Sequence, residues 1–99
     1  MSTNRPEITV AMPAYNAAAY LREAMDSILA QTFEDIELLV VDDGSTDVTL
    51  AIANEAAKSD SRVRIERLPD NKGRATARNM ALGRARGRYL AWMDADDIA

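Results

Sequence analysis

Two aspartates one residue apart, Asp94-Ala95-Asp96, follow the apolar run Tyr89-Leu90-Ala91-Trp92-Met93. If extended geometry persists through them, both carboxylates point to one side. Such a pair suits a hard divalent cation, Mg2+ or Mn2+, whose shell is completed by water and phosphate oxygens. The plainer reading is a hydrated turn before a helix, where aspartate is common. Asp97 fits either reading, as outer support or as a helix cap. A second acidic pair, Asp42-Asp43, runs into Gly44-Ser45. A left-handed glycine and a capping serine account for the turn, but not for two adjacent acids. An aspartate facing a cleft can accept a hydrogen bond from a nucleobase N–H or from ribose hydroxyls. Tyr15, within Pro13-Ala14-Tyr15-Asn16, offers either a ring face on which a base stacks or a boundary side chain over the core. From Asn71 to Met93 there are six basic residues and no acid, against 13 acids and six bases before Asn71. Most of the six read as a solvated helix face. Lys72, Arg74 and Arg78, however, stand near a helix start, where the dipole prefers acids, and there they suit a diphosphate.

These residues must be positioned by regular elements. Ile8 to Met12 reads as a short buried strand that stops at Pro13. Asn16 then caps a helix carrying Leu21, Met25, Ile28 and Leu29 at helical spacing. Ile36 to Val41 is a central strand with both faces covered. Ser45 or Thr46 caps the next helix, with Asp47 in its first turn and a stripe of Thr49, Ile52, Ala53, Ala56 and Ala57. Val63 to Leu68 alternates like an edge strand, and Pro69-Asp70-Asn71-Lys72-Gly73 is a turn. A third helix runs from about Arg74 to Ala85 with Gly87 as its stop. Tyr89 to Met93 is the fourth strand. The order β-α-β-α-β-α-β predicts an α/β class: an open, Rossmann-like parallel sheet with helices on both faces. Its ligands belong at the carboxyl ends of the strands, where Tyr15, Asp42-Asp43 and Asp94-Asp96 all fall.

Composition narrows the partners. Ninety-nine residues make one small domain, with residues 1–6 as a polar, disordered start. A net charge of -4 argues against a nucleic-acid binder. With no histidine and no cysteine, any metal is held by oxygen and no disulfide forms. No apolar run reaches the ~18 residues of a membrane span and no signal-peptide pattern opens the chain, so a cytoplasmic setting is expected.

Several stretches in register resemble one family: Met12 to Asn16 (MPAYN), Gln31-Thr32-Phe33, Glu37 to Asp47 (ELLVVDDGSTD), Asn71-Lys72-Gly73 with Ala77-Arg78-Asn79, Gly87-Arg88-Tyr89, and Asp94 to Asp97 (DADD). Together they resemble the amino-terminal half of the inverting, family-2-type glycosyltransferases with the GT-A fold. The resemblance covers nearly the whole chain from Glu7. It implies strand order 3-2-1-4 and a nucleotide-sugar-binding half-domain over residues 7–99, truncated before the acceptor half.

The resemblance further implies that Tyr15 and Asp43 bind the nucleotide, with backbone contacts from Pro13, support from Asp42, and Arg78 near the cleft. Asp94 and Asp96 would hold Mn2+ or Mg2+. The substrate implied is a nucleotide-diphospho-sugar, UDP-sugar foremost, whose sugar passes to an acceptor hydroxyl with inversion. The general base lies beyond residue 99, so these residues alone are expected to be inactive. The resemblance leaves room for a full-length enzyme at the cytoplasmic face of a membrane, and the isolated piece is expected to form a homodimer through the open edge of strand four or the exposed sheet face. Two other classes compete: a haloacid-dehalogenase-like phosphatase fragment, which would leave DDGSTD unexplained, and a non-catalytic nucleotide-binding or assembly module.

Overall fold

The computed structural model describes residues 6–31 and 35–93. The elements are β1 (Ile8–Ala14), α1 (Leu21–Leu29), β2 (Ile36–Asp43), α2 (Thr49–Ser59), β3 (Val63–Leu68), α3 (Arg74–Arg84) and β4 (Tyr89–Trp92). The four strands form one parallel sheet in the order β3-β2-β1-β4, as expected. β2 is buried along its whole length, which its branched, nearly unbroken apolar run requires of a strand covered on both faces. Period-two geometry then divides its side chains. Leu38 and Val40 join Met12, Leu21, Met25, Ala53 and Ala56 under α1 and α2. Leu39 and Val41 join Ala11, Ala77 and Ala81 under α3.

Two strands run further toward the site than their composition indicates. β2 continues through Asp42 and Asp43, which pair with Arg67 and Leu68 of β3. β1 continues through Pro13 to Ala14. Proline is tolerated because Glu7 and Ala11 turn their carbonyls toward β4, so by alternation Pro13 faces that side too, and the β1–β4 pairing already ends at Ala11–Trp92. The missing donor costs no ladder bond among the described residues.

The expected caps are corrected. α1 begins at Leu21 after Tyr20, and α2 at Thr49 after Val48, with no side-chain cap from Asn16, Ser45 or Thr46. Those three side chains bond between loops instead. Asp47, just outside α2, does serve its start: its carboxylate accepts the Thr49 N–H at 2.8 Å and the Thr49 hydroxyl. Gly87 is not a left-handed stop either, since α3 ends at Arg84 with Ala85 extended. Gly87 lies against β1, donates its N–H to Thr9 Oγ1 at 2.8 Å, and leaves no space for a Cβ beside the Thr9 backbone. The polar start expected over 1–6 enters the described residues only at Pro6, which is buried and whose carbonyl accepts the Arg88 N–H.

At the amino ends of the strands, Glu37 is a buried anion, 2% exposed. It accepts the Thr9 hydroxyl (2.7 Å), Arg64 Nη1 (2.7 Å), the Arg86 N–H (2.9 Å) and Arg86 Nε (3.1 Å). One carboxylate thus ties β1, β2, β3 and the α3–β4 connection together. Burial alone would raise its pKa. The bonds from Arg64, Thr9 and the Arg86 backbone outweigh burial and hold the carboxyl at about 2. On the other side of the sheet plan, the outer edge of β4 pairs with no described strand, and Tyr89 (58%) and Trp92 (38%) are exposed. No helix among the described residues is long and apolar enough to cross a membrane.

Candidate functional site

The carboxyl ends of β1 and β2 and the start of α3 enclose a cleft of about 510 Å³, lined by Pro13, Tyr15, Tyr20, Asp43, Asn71, Gly73 and Arg74 among others. Its floor is Asp43, the last residue of β2 and 4% exposed. Gly44 follows with φ +68°, and its missing Cβ lets the Asp70–Asn71 backbone press close. The turn after β3 therefore closes over the Asp43 carboxylate. Oδ1 accepts the Lys72 N–H at 2.8 Å; Oδ2 accepts the Gly73 N–H at 3.1 Å and Asn71 Nδ2 at 3.0 Å. Successive backbone N–H groups cradling an anion stabilise its charged form and fix its direction. Oδ1 receives one of these bonds and Oδ2 two, so Oδ1 keeps acceptor capacity.

The walls are aromatic and basic. Tyr15 is 48% exposed at the lip, and Tyr20 stands beside it. Arg74, the first residue of α3, borders the cleft and forms no ion pair with a described carboxylate. Its cation beside a helix N-terminus is the arrangement that receives anions. Lys72 is less free, because its Nζ pairs with Asp70 at 3.0 Å.

The residues singled out from the sequence do not all meet here. Pro13, Tyr15 and Asp43 do. Asp42 points to the opposite face of the sheet, nearly fully buried, where Oδ1 accepts the Ser45 N–H at 3.4 Å; it shapes the turn rather than lining the cleft. Arg78 lies one turn beyond Arg74, its guanidinium carbon 4.9 Å from the centroid of the Trp92 ring, and its buried Nε has no hydrogen-bond partner among the described residues. It stands against the strand that leads into Asp94, not in the cleft lining. Arg84, Arg86 and Arg88 are paired with Glu66, Glu37 and Glu7 and belong to the structural end of the sheet. Asp94 and Asp96 lie outside the described residues, as does Asp97. Among the described residues no group of three His, Cys, Asp or Glu stands close enough to hold a metal. Three N–H donors already occupy the Asp43 carboxylate, so an oxygen-ligated cation would be held by Asp94 and Asp96 rather than by it.

Sequence reading missed the backbone N–H groups of Lys72 and Gly73 as the cradle of Asp43, although the Asn71-Lys72-Gly73 turn was their signal. It also passed over Tyr20, which reads as an ordinary boundary residue ahead of a helix.

The family model described as "Glycosyl transferase family 2" matches residues 9–99. An uncharacterized glycosyltransferase of Haemophilus influenzae is 44% identical over 95 residues, covering 96% of this chain and 38% of its own length. The putative teichuronic acid biosynthesis glycosyltransferase TuaG of Bacillus subtilis is 42% identical over 97 residues, 98% of this chain and 38% of its own. Among solved structures, the mannosyltransferase PcManGT of Pyrobaculum calidifontis, in complex with GDP-Man and Mn2+, superposes with a TM-score of 0.87 at 33% identity, over 95% of this chain and 28% of that one. S. aureus TarS 1–349 in complex with UDP-GlcNAc gives 0.85 at 35%, over 93% and 27%. The chain thus spans well under half the length of the relatives it matches.

Proposed function

Since the chain belongs to glycosyl transferase family 2 and has the α/β GT-A fold of its relatives, we propose that its cleft binds the nucleoside diphosphate of a sugar donor for glycosyl transfer. The observation that carries this reading is the convergence of an aromatic face, Tyr15, and an oriented acceptor, Asp43, beside Arg74, which pairs with no described carboxylate. A base stacks on Tyr15 and donates an N–H to Asp43. Uracil and guanine carry a ring N–H on that edge; cytosine and adenine present a bare ring nitrogen there, which repels the carboxylate, beside an exocyclic amino group. UDP-GlcNAc and GDP-Man, bound by the two structural neighbours, both have the first kind of base. Pro13 borders the base, Asp42 holds the turn, and Arg74, with Arg78 behind it, faces the diphosphate.

A divalent cation, Mn2+ or Mg2+, on Asp94 and Asp96 would supply charge neutralisation of the departing diphosphate. In the transfer we propose for the whole protein, the acceptor oxygen bonds to the anomeric carbon as the bond from that carbon to the phosphate oxygen breaks. The configuration inverts, and the acceptor proton passes to a carboxylate outside these 99 residues. The chain taken alone is proposed to pair with a second copy along the open edge of β4, where ladder donors and acceptors lie beside exposed Tyr89 and Trp92.

Calorimetric titration with UDP tests the binding claim. UDP is expected to bind with Mn2+ and about tenfold more weakly without it, because phosphate oxygens complete an all-oxygen metal shell. Asp96→Ala is expected to abolish that difference while leaving the circular dichroism unchanged. Equal affinity with and without Mn2+ in the unsubstituted chain contradicts the metal-bridged reading.

A further inference from the structure

Five hydrogen bonds join the loop after β1 to the loop after β2 and the first residue of α2, about 30 residues away in sequence. The Asn16 N–H donates to Ser45 Oγ at 2.9 Å. In return, Asn16 Oδ1 accepts the Thr46 N–H at 2.8 Å and the Thr46 hydroxyl at 3.3 Å. One residue on, the Ala17 N–H donates to the buried Thr49 hydroxyl at 2.8 Å, and the Ala18 N–H reaches Asp47 Oδ2 at 3.3 Å. Hydrogen bonds from the Thr49 hydroxyl and from the Thr49 and Ala18 N–H groups hold the Asp47 carboxyl below its ordinary pKa, so this end of the junction stays charged near neutral pH.

Asn16 is also the single non-glycine residue with positive φ among the described residues, at +48°. Asparagine tolerates that region because its short polar side chain bonds locally. The bend it permits comes directly after Tyr15, whose half-exposed side chain has no described hydrogen bond of its own. What holds the Tyr15 ring at the lip of the cleft is therefore the backbone beneath it.

We propose that Asn16 is a positioning residue: its carboxamide latches the two loops and fixes Tyr15 as a rigid wall facing Asp43. The effect on ligand rests on the nucleotide reading of the cleft; the effect on Tyr15 does not. Rigid placement matters because a ring ordered only upon binding gives back part of the stacking energy as lost freedom.

The test has a ligand-free arm and a ligand arm. By 15N relaxation, the Tyr15 amide order parameter is expected near ~0.85 in the unsubstituted chain and below about 0.6 in Asn16→Ala. Asn16→Asp, which keeps the acceptor, is expected to restore it. If Asn16→Ala lowers the melting temperature too far to measure, Asn16→Gly keeps the backbone conformation and removes only the carboxamide. In titrations with UDP and Mn2+, Asn16→Ala is expected to weaken binding about five- to tenfold, Asn16→Asp less than about threefold. In a Tyr15→Ala background, Asn16→Ala is expected to add less than about twofold, since a residue acting through another loses its effect when that other is gone. An equally ordered Tyr15 in Asn16→Ala and Asn16→Gly overturns the latch, as does an equal loss of affinity in both backgrounds. Failure of the unsubstituted chain to bind UDP overturns the nucleotide reading instead, and the order parameter still decides the latch.

Discussion

Asp43→Ala is expected to weaken nucleotide binding by roughly 100-fold or more, the largest loss from any single substitution in the cleft. A charge-assisted hydrogen bond contributes about 1.5–3 kcal/mol, or about ten- to 150-fold in affinity. The same carboxylate also holds Asn71 Nδ2 and the N–H groups of Lys72 and Gly73, so its removal frees the turn that places Arg74 beside the cleft. The fold survives the change, because that turn is exposed and water can replace the lost acceptor. Asp43→Asn is expected to fare little better. Its amide must aim an NH2 at N–H donors on one side or lose its acceptor toward the base on the other. Calorimetric titration with UDP and Mn2+, alongside circular dichroism, checks both. Affinity within threefold of the unsubstituted chain would remove Asp43 from the base site.

The largest effect on stability is expected at the other end of the sheet. Glu37→Ala leaves the Thr9 hydroxyl without its acceptor and takes from Arg64 its shortest ion pair, while Glu66 and the Arg84 carbonyl still hold that guanidinium. A loss of about 3 kcal/mol is therefore expected, the low end of the range for deleting one partner of a buried pair. A domain of this size has on the order of 5–15 kcal/mol in total. The urea midpoint at neutral pH is the measurement, and a midpoint close to that of the unsubstituted chain contradicts the assignment. The pH dependence follows from the same carboxylate. Its folded pKa of about 2 lies below the usual 4.5, so its contribution is fully present above about pH 4.5. It fades as pH falls from there to about 2, by on the order of 3 kcal/mol. Glu37→Gln is expected to flatten the stability profile in that window.

Glu37 also shows where sequence reading runs out. Burial along β2 was legible from its apolar run, but Glu37 meets Thr9, Arg64 and Arg86 across 27 to 49 residues, and no local period records such contacts. The helices and strands were legible because their stripes repeat at 3.6 or 2 residues. Strand ends were not. Asp42, Asp43 and Pro13 look like loop residues, yet pairing with β3 and β2 keeps them extended. Asn16, Ser45 and Thr46 have the chemistry of helix caps, and only the tertiary structure redirects it into bonds between loops. In the cleft, Tyr15 and Asp43 were legible because the carboxyl ends of parallel strands are where a ligand sits. The cradle around Asp43 combines the Asn71 carboxamide with the backbone N–H groups of Lys72 and Gly73; the turn residues marked its place, but backbone N–H groups, which every residue but proline has, did not announce the donors.

The measurement that bears most directly on the central claim is titration of the unsubstituted chain, with Mn2+ present, against UDP, GDP, CDP and ADP in turn. The four share a diphosphate, and therefore the same contact with Arg74 and any bound cation. They differ in whether the ring nitrogen on the base's pairing edge carries an N–H for Asp43 or is bare, with only an exocyclic amino group beside it. UDP or GDP is expected to bind at least about tenfold more tightly than CDP and ADP, the worth of one hydrogen bond to a charged acceptor. Equal affinity for all four would mean that the cleft holds only the diphosphate and that Asp43 and Tyr15 do not form a base pocket.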